Sequence, residues 1–409
     1  MRGIEGALRV LQDVERGELA SVSLRRLASK LPSPEMTLAA SLVYCTLRKR
    51  SLWYEMVRSF LKPAIEGLNG ATVNAMLLGA AGMTDLRYFV PMALTNAVVQ
   101  NVKETVGERE ARLVNAVLRR VGESGNDFIR ALSSSCDLKD FAILHGMPPW
   151  AAFILKEGVG PQEARKLVRM ARIRPYASFR VWPESKIPEV LERANAAGYR
   201  CWGSPLIPYS VRLASSVYPP SFAGYNKGVS TPQGESSMMV GEVVRRLWKR
   251  GLVLDMCAGR GIKAGQLAAL LPGATLECWE ISPGRAKALE KERKRLNASW
   301  AIRLGDALHL EPPVRPEIVV LDAPCSNSGT WSRHPEGKQR LSAEAVGRVS
   351  DLQKLLLRRA ISIVAPGGFV VYVTCSLFRR ENEEIVSRVL SERNDIYEVP
   401  PPISGLRIH

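Results

Sequence analysis

Two cysteines sit where strands should end. In "LDAPCSNSGTWSRHP", residues 321–335, Cys325 follows an apolar, β-branched run and has Asp322 and Pro324 beside it. In "VYVTCSL", residues 371–377, Cys375 follows a second such run, with Thr374 and Ser376 beside it. Runs of that composition read as strands. A thiolate can add to carbon 6 of a pyrimidine, and the addition turns carbon 5 from a poor nucleophile into an enamine carbon that can take a methyl group. The carbon 5 proton must then leave, a step that a second polar group close by assists. A free thiol with a pKa near ~8.5 is only a few per cent ionised at neutral pH, so such a site needs a basic, partly exposed setting. Lys263, Arg333 and His334 are the candidates to supply it. The thiols converge on one cleft if the strand carrying Asp255 neighbours the strand carrying Asp322, as right-handed crossovers favour.

A second group of residues suits a cationic cofactor. In "LDMCAGRGIKAG", residues 254–265, Gly259, Gly261 and Ala264 satisfy G-x-G-x-x-G/A between a strand and a helix, and Glu280 ends the next strand about twenty residues on. That spacing admits a dinucleotide. However, Asp255, Met256, Cys257 and Ala258 precede the first glycine, and the Asp255 carboxylate would repel a pyrophosphate. It would attract the ammonium and sulfonium of S-adenosylmethionine (SAM), with Glu280 facing the ribose hydroxyls and Asp306 of "LGDAL" the adenine side.

The elements that must position these residues follow from periodicity. Residues 1–140 read as helices, as in "GALRVLQDVERG", "MALTNAVVQNVKETV" and "EREARLVNAVLRRVGES", with apolar residues at three-and-four spacing. Turn formers around "SSSCDLKD" and "HGMPPW" then lead into a mixed region, 141–229, with helices "PQEARKLVRMARI" and "IPEVLERANAAG" and strands "YASFRVW" and "YRCWGS". From 230 to 409 strands and helices alternate: "GLVLDM", "AGQLAALL", "ATLECWEI", "RAKALEKERKRLNA", "WAIRLG", "EIVVLDA", "SAEAVGRVSDLQKLLLRRAISIV" and "GGFVVYVT". Such alternation specifies a mostly parallel, doubly wound sheet that binds ligands beyond its strands' carboxyl ends.

Composition limits the alternatives. No apolar stretch approaches the roughly 18 residues of a membrane helix, and the N-terminus lacks the apolar core of a signal peptide, so a cytoplasmic protein is expected. The net charge of +17, from 57 basic against 40 acidic residues, points to a polyanionic partner, nucleic acid rather than membrane. The cysteines at 45, 136, 201, 257, 278, 325 and 375 are odd in number and form no CxxC pair, against a disulfide framework or a structural zinc site. Cys45, Cys136, Cys201 and Cys278 are expected to be buried small hydrophobes.

On these residues the C-terminal half resembles the RNA cytosine-5 methyltransferases of the NOL/NOP/Sun family, and nearly the whole chain resembles the bacterial RsmB (Fmu/Sun) branch. "LVYCTLRKRSLWYEMVRSFL" and "RLVNAVLRRV" look like its NusB-like helices, "SFRVW" through "GVSTPQGESSMM" like its RNA-binding insert, and "DAPCSNSGTWSRHPE" with "VTCSLFRRENEEIV" like its catalytic motifs. The resemblance implies an all-α NusB-like RNA-binding domain over 1–140, a linker and small α/β, RRM-like RNA-binding subdomain over 141–229, and a Rossmann-like SAM-dependent methyltransferase domain over 230–409. It implies that Cys375 is the nucleophile and Cys325 assists product release. Cofactor contacts fall to Cys257, Ala258, Gly259, Arg260, Gly261, Ile262 and Lys263, and to Glu280, Asp306 and Asp322; Lys263 and Asp322 also lie against the target base. The implied substrate is small-subunit (16S) ribosomal RNA, and the enzyme is expected to be a monomer without a metal.

Three departures stand out. Gly259, Arg260, Gly261 and Ile262 replace the family's alanine, proline, glycine and glycine; Gly234 replaces the acid after Gln233; and "GLRIH" stands where the family continues into a last strand. The residues by themselves leave open a non-catalytic RNA-binding assembly factor with a degenerate methyltransferase fold, and a nicotinamide-dependent oxidoreductase.

Overall fold

The helical periodicity of the first residues becomes ten helices in a computed structural model, which describes residues 2–62, 64–86, 90–214 and 217–402. They are α1 (Arg2–Glu15), α2 (Ala20–Ala28), α3 (Ser33–Arg48), α4 (Arg50–Phe60), α5 (Gly70–Asp85), α6 (Pro91–Thr105), α7 (Glu108–Ser134), α8 (Leu138–Leu144), α9 (Pro149–Val159) and α10 (Pro161–Met170). Helix α5 is apolar on every side, so it takes the centre. A Cβ on Gly79 would stand 2.6 Å from Leu118, and one on Gly82 would stand 2.4 Å from Leu94; both glycines let α7 and α6 approach. The unit runs to Arg174 and is completed by residues 327–345 and 376–379. These later segments are tied in by polar bonds: Glu336 accepts from the Ala20 N–H (3.2 Å), and buried Lys338 donates to the carbonyls of Arg48 (3.1 Å) and Gly146 (3.2 Å).

The second unit comprises residues 175–326, 346–375 and 380–409. It opens with an antiparallel layer: β1 (Ala177–Val181), α11 (Ile187–Ala196), β2 (Cys201–Gly203), β3 (Ser210–Leu213) and β4 (Ser230–Pro232), in sheet order β2-β3-β1-β4. This is the strand order of an RRM-like, split βαβ layer. Phe179, Val181, Val211 and Leu213 bury one face of the sheet against Val190 and Ala194 of α11, and Phe222 stacks on Phe179 at 4.1 Å between ring centroids. The sequence pattern identified β1 and β2 but not β3 or β4, which at four and three residues are too short to show alternation.

Next come α12 (Glu235–Leu247), β5 (Leu252–Asp255), α13 (Ile262–Leu270), β6 (Thr275–Glu280), α14 (Pro283–Arg295), β7 (Ala301–Leu304), β8 (Ile318–Asp322), α15 (Ala343–Ile363), β9 (Phe369–Val373) and α16 (Glu383–Leu390). All strands of this sheet pair in parallel, in the order β7-β6-β5-β8-β9. The order reverses between β5 and β8, which makes the mouth of that pair the topological switch point where doubly wound sheets bind ligands. Strand β5 and most of β8 are buried, which is why both read as unbroken apolar runs.

The expected fold class holds: a helical N-terminal unit, a small antiparallel insert and a Rossmann-like sheet. No helix among the described residues is long and apolar enough to cross a membrane. The four structural cysteines need correcting. Only Cys278 is fully buried; Cys45 and Cys201 are half-buried, and Cys136 is exposed. Cys136 lies exposed in the turn between α7 and α8, beside the Asp137 cap. The segment "GLRIH", at which the family's last strand is expected to be missing, falls outside the described residues.

Candidate active site

The strand order places the carboxyl ends of β5, β8 and β9 side by side. Asp255 is level with Val320, and Asp322 with Val373, so the loops leaving β8 and β9 start together. Each delivers its cysteine to the same point: Cys325 Sγ and Cys375 Sγ are 3.2 Å apart. The shared hydrogen bond with Cys325 pushes the Cys375 pKa above that of an ordinary thiol, burial and the negative charge of Asp322 add to the rise, and the Lys263 ammonium opposes it. Cys375 is therefore a protonated thiol at rest.

Lys263 enters from the first turn of α13 and donates to the Asp322 carboxylate. The turn before it requires glycine. Gly261 has φ +84°, and a Cβ there would stand 2.5 Å from the Leu289 side chain. The sequence proposed Arg333 and His334 alongside Lys263 as basic partners. The structure brings Lys263 to the thiols, whereas Arg333 and His334 fold with the helical unit, His334 Nδ1 lying 3.9 Å from Glu336.

The loop from Cys257 to Lys263 wraps over the end of β5. The Ala258 N–H donates to the Trp279 carbonyl (2.9 Å), the Gly261 N–H to the Ala258 carbonyl (2.9 Å), and the Gly259 N–H to Glu280 Oε2 (2.9 Å). Arg260 projects outward and exposed. Burial raises the pKa of Cys257, the first residue of the loop, to about 12. Glu280 also accepts from the Ser282 N–H (2.8 Å) and Arg285 Nε (2.9 Å) through Oε1; the Arg285 contact was not legible from spacing. Asp306 lies just past the end of β7 and accepts from the Leu308 N–H (3.0 Å); the Gly305 N–H meets the Glu280 carbonyl (3.1 Å).

Asp255 is the least satisfied of these groups. It is 2% exposed, and neither carboxylate oxygen has a hydrogen-bond partner among the described residues. Burial first, and then the charge of Asp322, lift its pKa to about 7; Lys263 and the nearby Cys257 backbone partly offset the rise. A buried carboxyl in that state is a receptor for a cation.

The sequence reading missed a buried polar chain that joins the insert to this loop. Arg180 of β1, 2% exposed, donates to Gln233 Oε1 (2.6 Å) and to the Ile262 carbonyl (3.0 Å) at the start of α13. Gln233 continues to Gln266 (2.7 Å), Gln266 to the Tyr209 hydroxyl (3.0 Å), and Tyr209 to Glu242 (2.7 Å). Burial lowers the Arg180 pKa to about 10. The available signal was an arginine in the otherwise apolar "SFRVW".

Comparison with known proteins agrees with this architecture. Residues 246–407 match the family model of the 16S rRNA methyltransferase RsmB/F, and residues 5–123 match that of the NusB family. Ribosomal RNA small subunit methyltransferase B of Xanthomonas campestris pv. campestris is 26% identical over 376 residues, covering 90% of this chain and 82% of the relative. The protein of the same name from Klebsiella pneumoniae subsp. pneumoniae is 26% identical over 392 residues, covering 94% and 88%. The crystal structure of PH0851 superposes with a TM-score of 0.79 at 20% identity, over 96% of this chain and 89% of that one. NSun6 from Pyrococcus horikoshii with SFG gives 0.54 at 18% identity, over 60% and 87%. The chain thus carries a NusB-family domain over residues 5–123 ahead of a methyltransferase domain of the RsmB/F type over residues 246–407.

Proposed function

We propose that this protein transfers a methyl group from SAM to carbon 5 of a cytosine in small-subunit ribosomal RNA, in the cytoplasm, through a covalent bond between Cys375 and carbon 6. The observation that carries this reading is the pair of thiols 3.2 Å apart beside the Lys263–Asp322 ion pair, at the switch point of the sheet. A lone reactive cysteine would suit many reactions. Two cysteines on adjacent strand ends suit one in which the first adds and the second helps the adduct collapse.

SAM fits the residues present: its ammonium or sulfonium would satisfy the partnerless Asp255, its ribose would meet Glu280, and its adenine would lie toward Asp306. The relatives' shared name supports methyl transfer to small-subunit ribosomal RNA, and the neighbour structure with SFG, a SAM analogue, supports the donor. When bound, SAM supplies an electrophilic methyl group. The chain's own residues do the rest. Asp322 and Lys263 read the amino and carbonyl edge of a cytosine taken out of its stack. As Cys375 Sγ bonds to carbon 6, its thiol proton passes by way of the Asp322 carboxylate to ring nitrogen 3 of the cytosine, and the electron pair displaced from the carbon 5–carbon 6 double bond leaves carbon 5 a nucleophilic enamine carbon. Once carbon 5 is methylated its proton leaves with the help of Cys325, the double bond re-forms, and the bond from Cys375 to carbon 6 breaks. The helical domain and insert supply RNA affinity through their basic surface, in keeping with the +17 charge.

Two variants test the assignment. Cys375→Ser should form neither adduct nor product, because a serine hydroxyl is far harder to ionise. Cys325→Ala should accumulate a SAM-dependent protein–RNA species that survives denaturing electrophoresis and disappears in the double variant. An adduct from Cys375→Ser but not from Cys325→Ala would reverse the roles, and no adduct from either would remove the covalent mechanism.

A further inference from the structure

The loop that carries Cys325 is held on both sides of the thiol by one buried amide–carboxylate pair. Gln353 of α15 donates through Nε2 to the Pro324 carbonyl at 2.9 Å and to Glu381 Oε1 at 3.2 Å. The same Glu381 oxygen accepts from the Ser326 N–H at 2.7 Å. The backbone groups immediately before and after Cys325 are therefore fixed to two side chains that are each 0% exposed.

Glu381 belongs equally to the other cysteine's loop. It closes the short turn Arg379–Glu381 that follows Cys375, its carbonyl accepts from the Tyr372 hydroxyl of β9 (2.7 Å), and Thr374 donates to its neighbour Asn382 (2.5 Å). A displacement of either loop would thus reach this bracket, which acts beside the direct ties between the segments after the two cysteines, Ser328 Oγ with Ser376 Oγ (3.2 Å) and the Leu377 N–H to Ser328 Oγ (2.8 Å). We propose that Gln353 and Glu381 are positioning residues that set the separation of the two thiols, and thereby the partition between trapped adduct and released product. The second part rests on the covalent reading above; the first does not.

The reason for a buried bracket is geometric. Cys325 leaves β8 through a proline and Cys375 leaves β9 through a threonine, both beyond the ladder pair Asp322–Val373. Catalytic groups lose large factors in rate when misplaced by about 1 Å, and a buried, hydrogen-bonded pair is stiffer than loop backbone facing water.

The test has two arms, each run on the full-length protein. In the first, without RNA, diamide oxidises the thiols: it takes two electrons and two protons, an S–S bond forms between Cys325 and Cys375, and peptide mapping quantifies that bridge. Gln353→Leu removes the donor at nearly constant shape, and Glu381→Asp withdraws the acceptor by one methylene. Each should slow bridge formation by about tenfold or more, the effect of leaving a buried partner unsatisfied. Glu381→Gln retains an acceptor oxygen and should stay within about twofold of the parent. Unchanged bridging in both Gln353→Leu and Glu381→Asp overturns the proposal, and so does equal loss in Glu381→Gln.

In the second arm, with RNA and SAM, the two bracket variants should accumulate the denaturation-resistant adduct seen with Cys325→Ala. A purely structural role would lower adduct and product together and leave their ratio unchanged, which would overturn the proposal. If Cys325→Ala itself gives no adduct while the diamide arm behaves as stated, the bracket stands and the covalent reading fails. If Gln353→Leu does not fold, Glu381→Asp carries both arms, since it keeps charge and most of the buried volume.

Discussion

Replacing Asp255 by asparagine should make the protein more stable and a poorer receptor for its cofactor. In the unfolded chain this carboxyl titrates near 3.8, and in the folded protein near 7, because burial and Asp322 both oppose its charge. The folded state therefore holds a proton that the unfolded chain has already released. Stability from that proton is complete below about pH 4 and is lost as the pH rises to about 7, at roughly 1.4 kcal/mol per pH unit, so the whole effect is about 4 kcal/mol. Asparagine has the same shape and no charge to lose. The stability difference between Asp255→Asn and the parent should grow in the variant's favour from about pH 4 to about pH 7 and then level off. Amide hydrogen exchange of the β5 peptide reads it for the element concerned, without assuming that a two-unit protein unfolds in one step. SAM should restore the parent above pH 7, because a cation beside the carboxylate cancels its penalty. The variant should bind SAM more weakly by about tenfold or more, the loss of a charge-assisted bond of ~1.5–3 kcal/mol. A difference that is flat in pH, or equal SAM affinity in calorimetry, would refute both the protonation argument and the placement of the cofactor.

Three further outcomes are expected. Cys375 is held protonated first by Cys325, so its alkylation by iodoacetamide should be slow at neutral pH and still rising beyond pH 9, whereas Cys325→Ala should accelerate it; mass spectrometry of the Cys375 peptide decides. Arg180→Met should leave the buried acceptors Gln233 Oε1 and the Ile262 carbonyl without that donor, at ~1–3 kcal/mol each, and should weaken SAM binding although Arg180 belongs to the insert; unchanged calorimetry would separate the insert from the loop. RNA affinity of the full chain should fall with salt at a log–log slope of about −0.7 per phosphate contact, and a slope near zero would remove the electrostatic account of its +17 charge.

The sequence disclosed those parts of the molecule that depend on short-range pattern. Strict alternation from 230 onward disclosed the parallel sheet, because a strand buried on both faces must be apolar throughout and its crossover helix must be amphipathic. The two cysteines were legible because chain direction puts every strand's carboxyl end on one edge, so residues 50 apart in sequence could be expected together. Partners brought together by the fold were not legible. Nothing in "HPEGKQ" announces that Glu336 and Lys338 turn back to bond the Ala20 N–H and the carbonyls of Arg48 and Gly146 in the helical unit, since a charged residue in a loop has the same local pattern whether solvated or buried. By pattern Gln353 is one more polar position on a long helix, and nothing in "RRENEEIV" sets Glu381 apart from the neighbouring charged residues. Yet it is these two, through the Pro324 carbonyl and the Ser326 N–H, that bond the backbone on either side of Cys325. The chemistry was readable because thiols are few and carry their reactivity with them, whereas its alignment was hidden because glutamine and glutamate are common and gain their roles only from what surrounds them. Buried polar brackets of this kind are therefore where mutagenesis will add most to what the motifs already indicate.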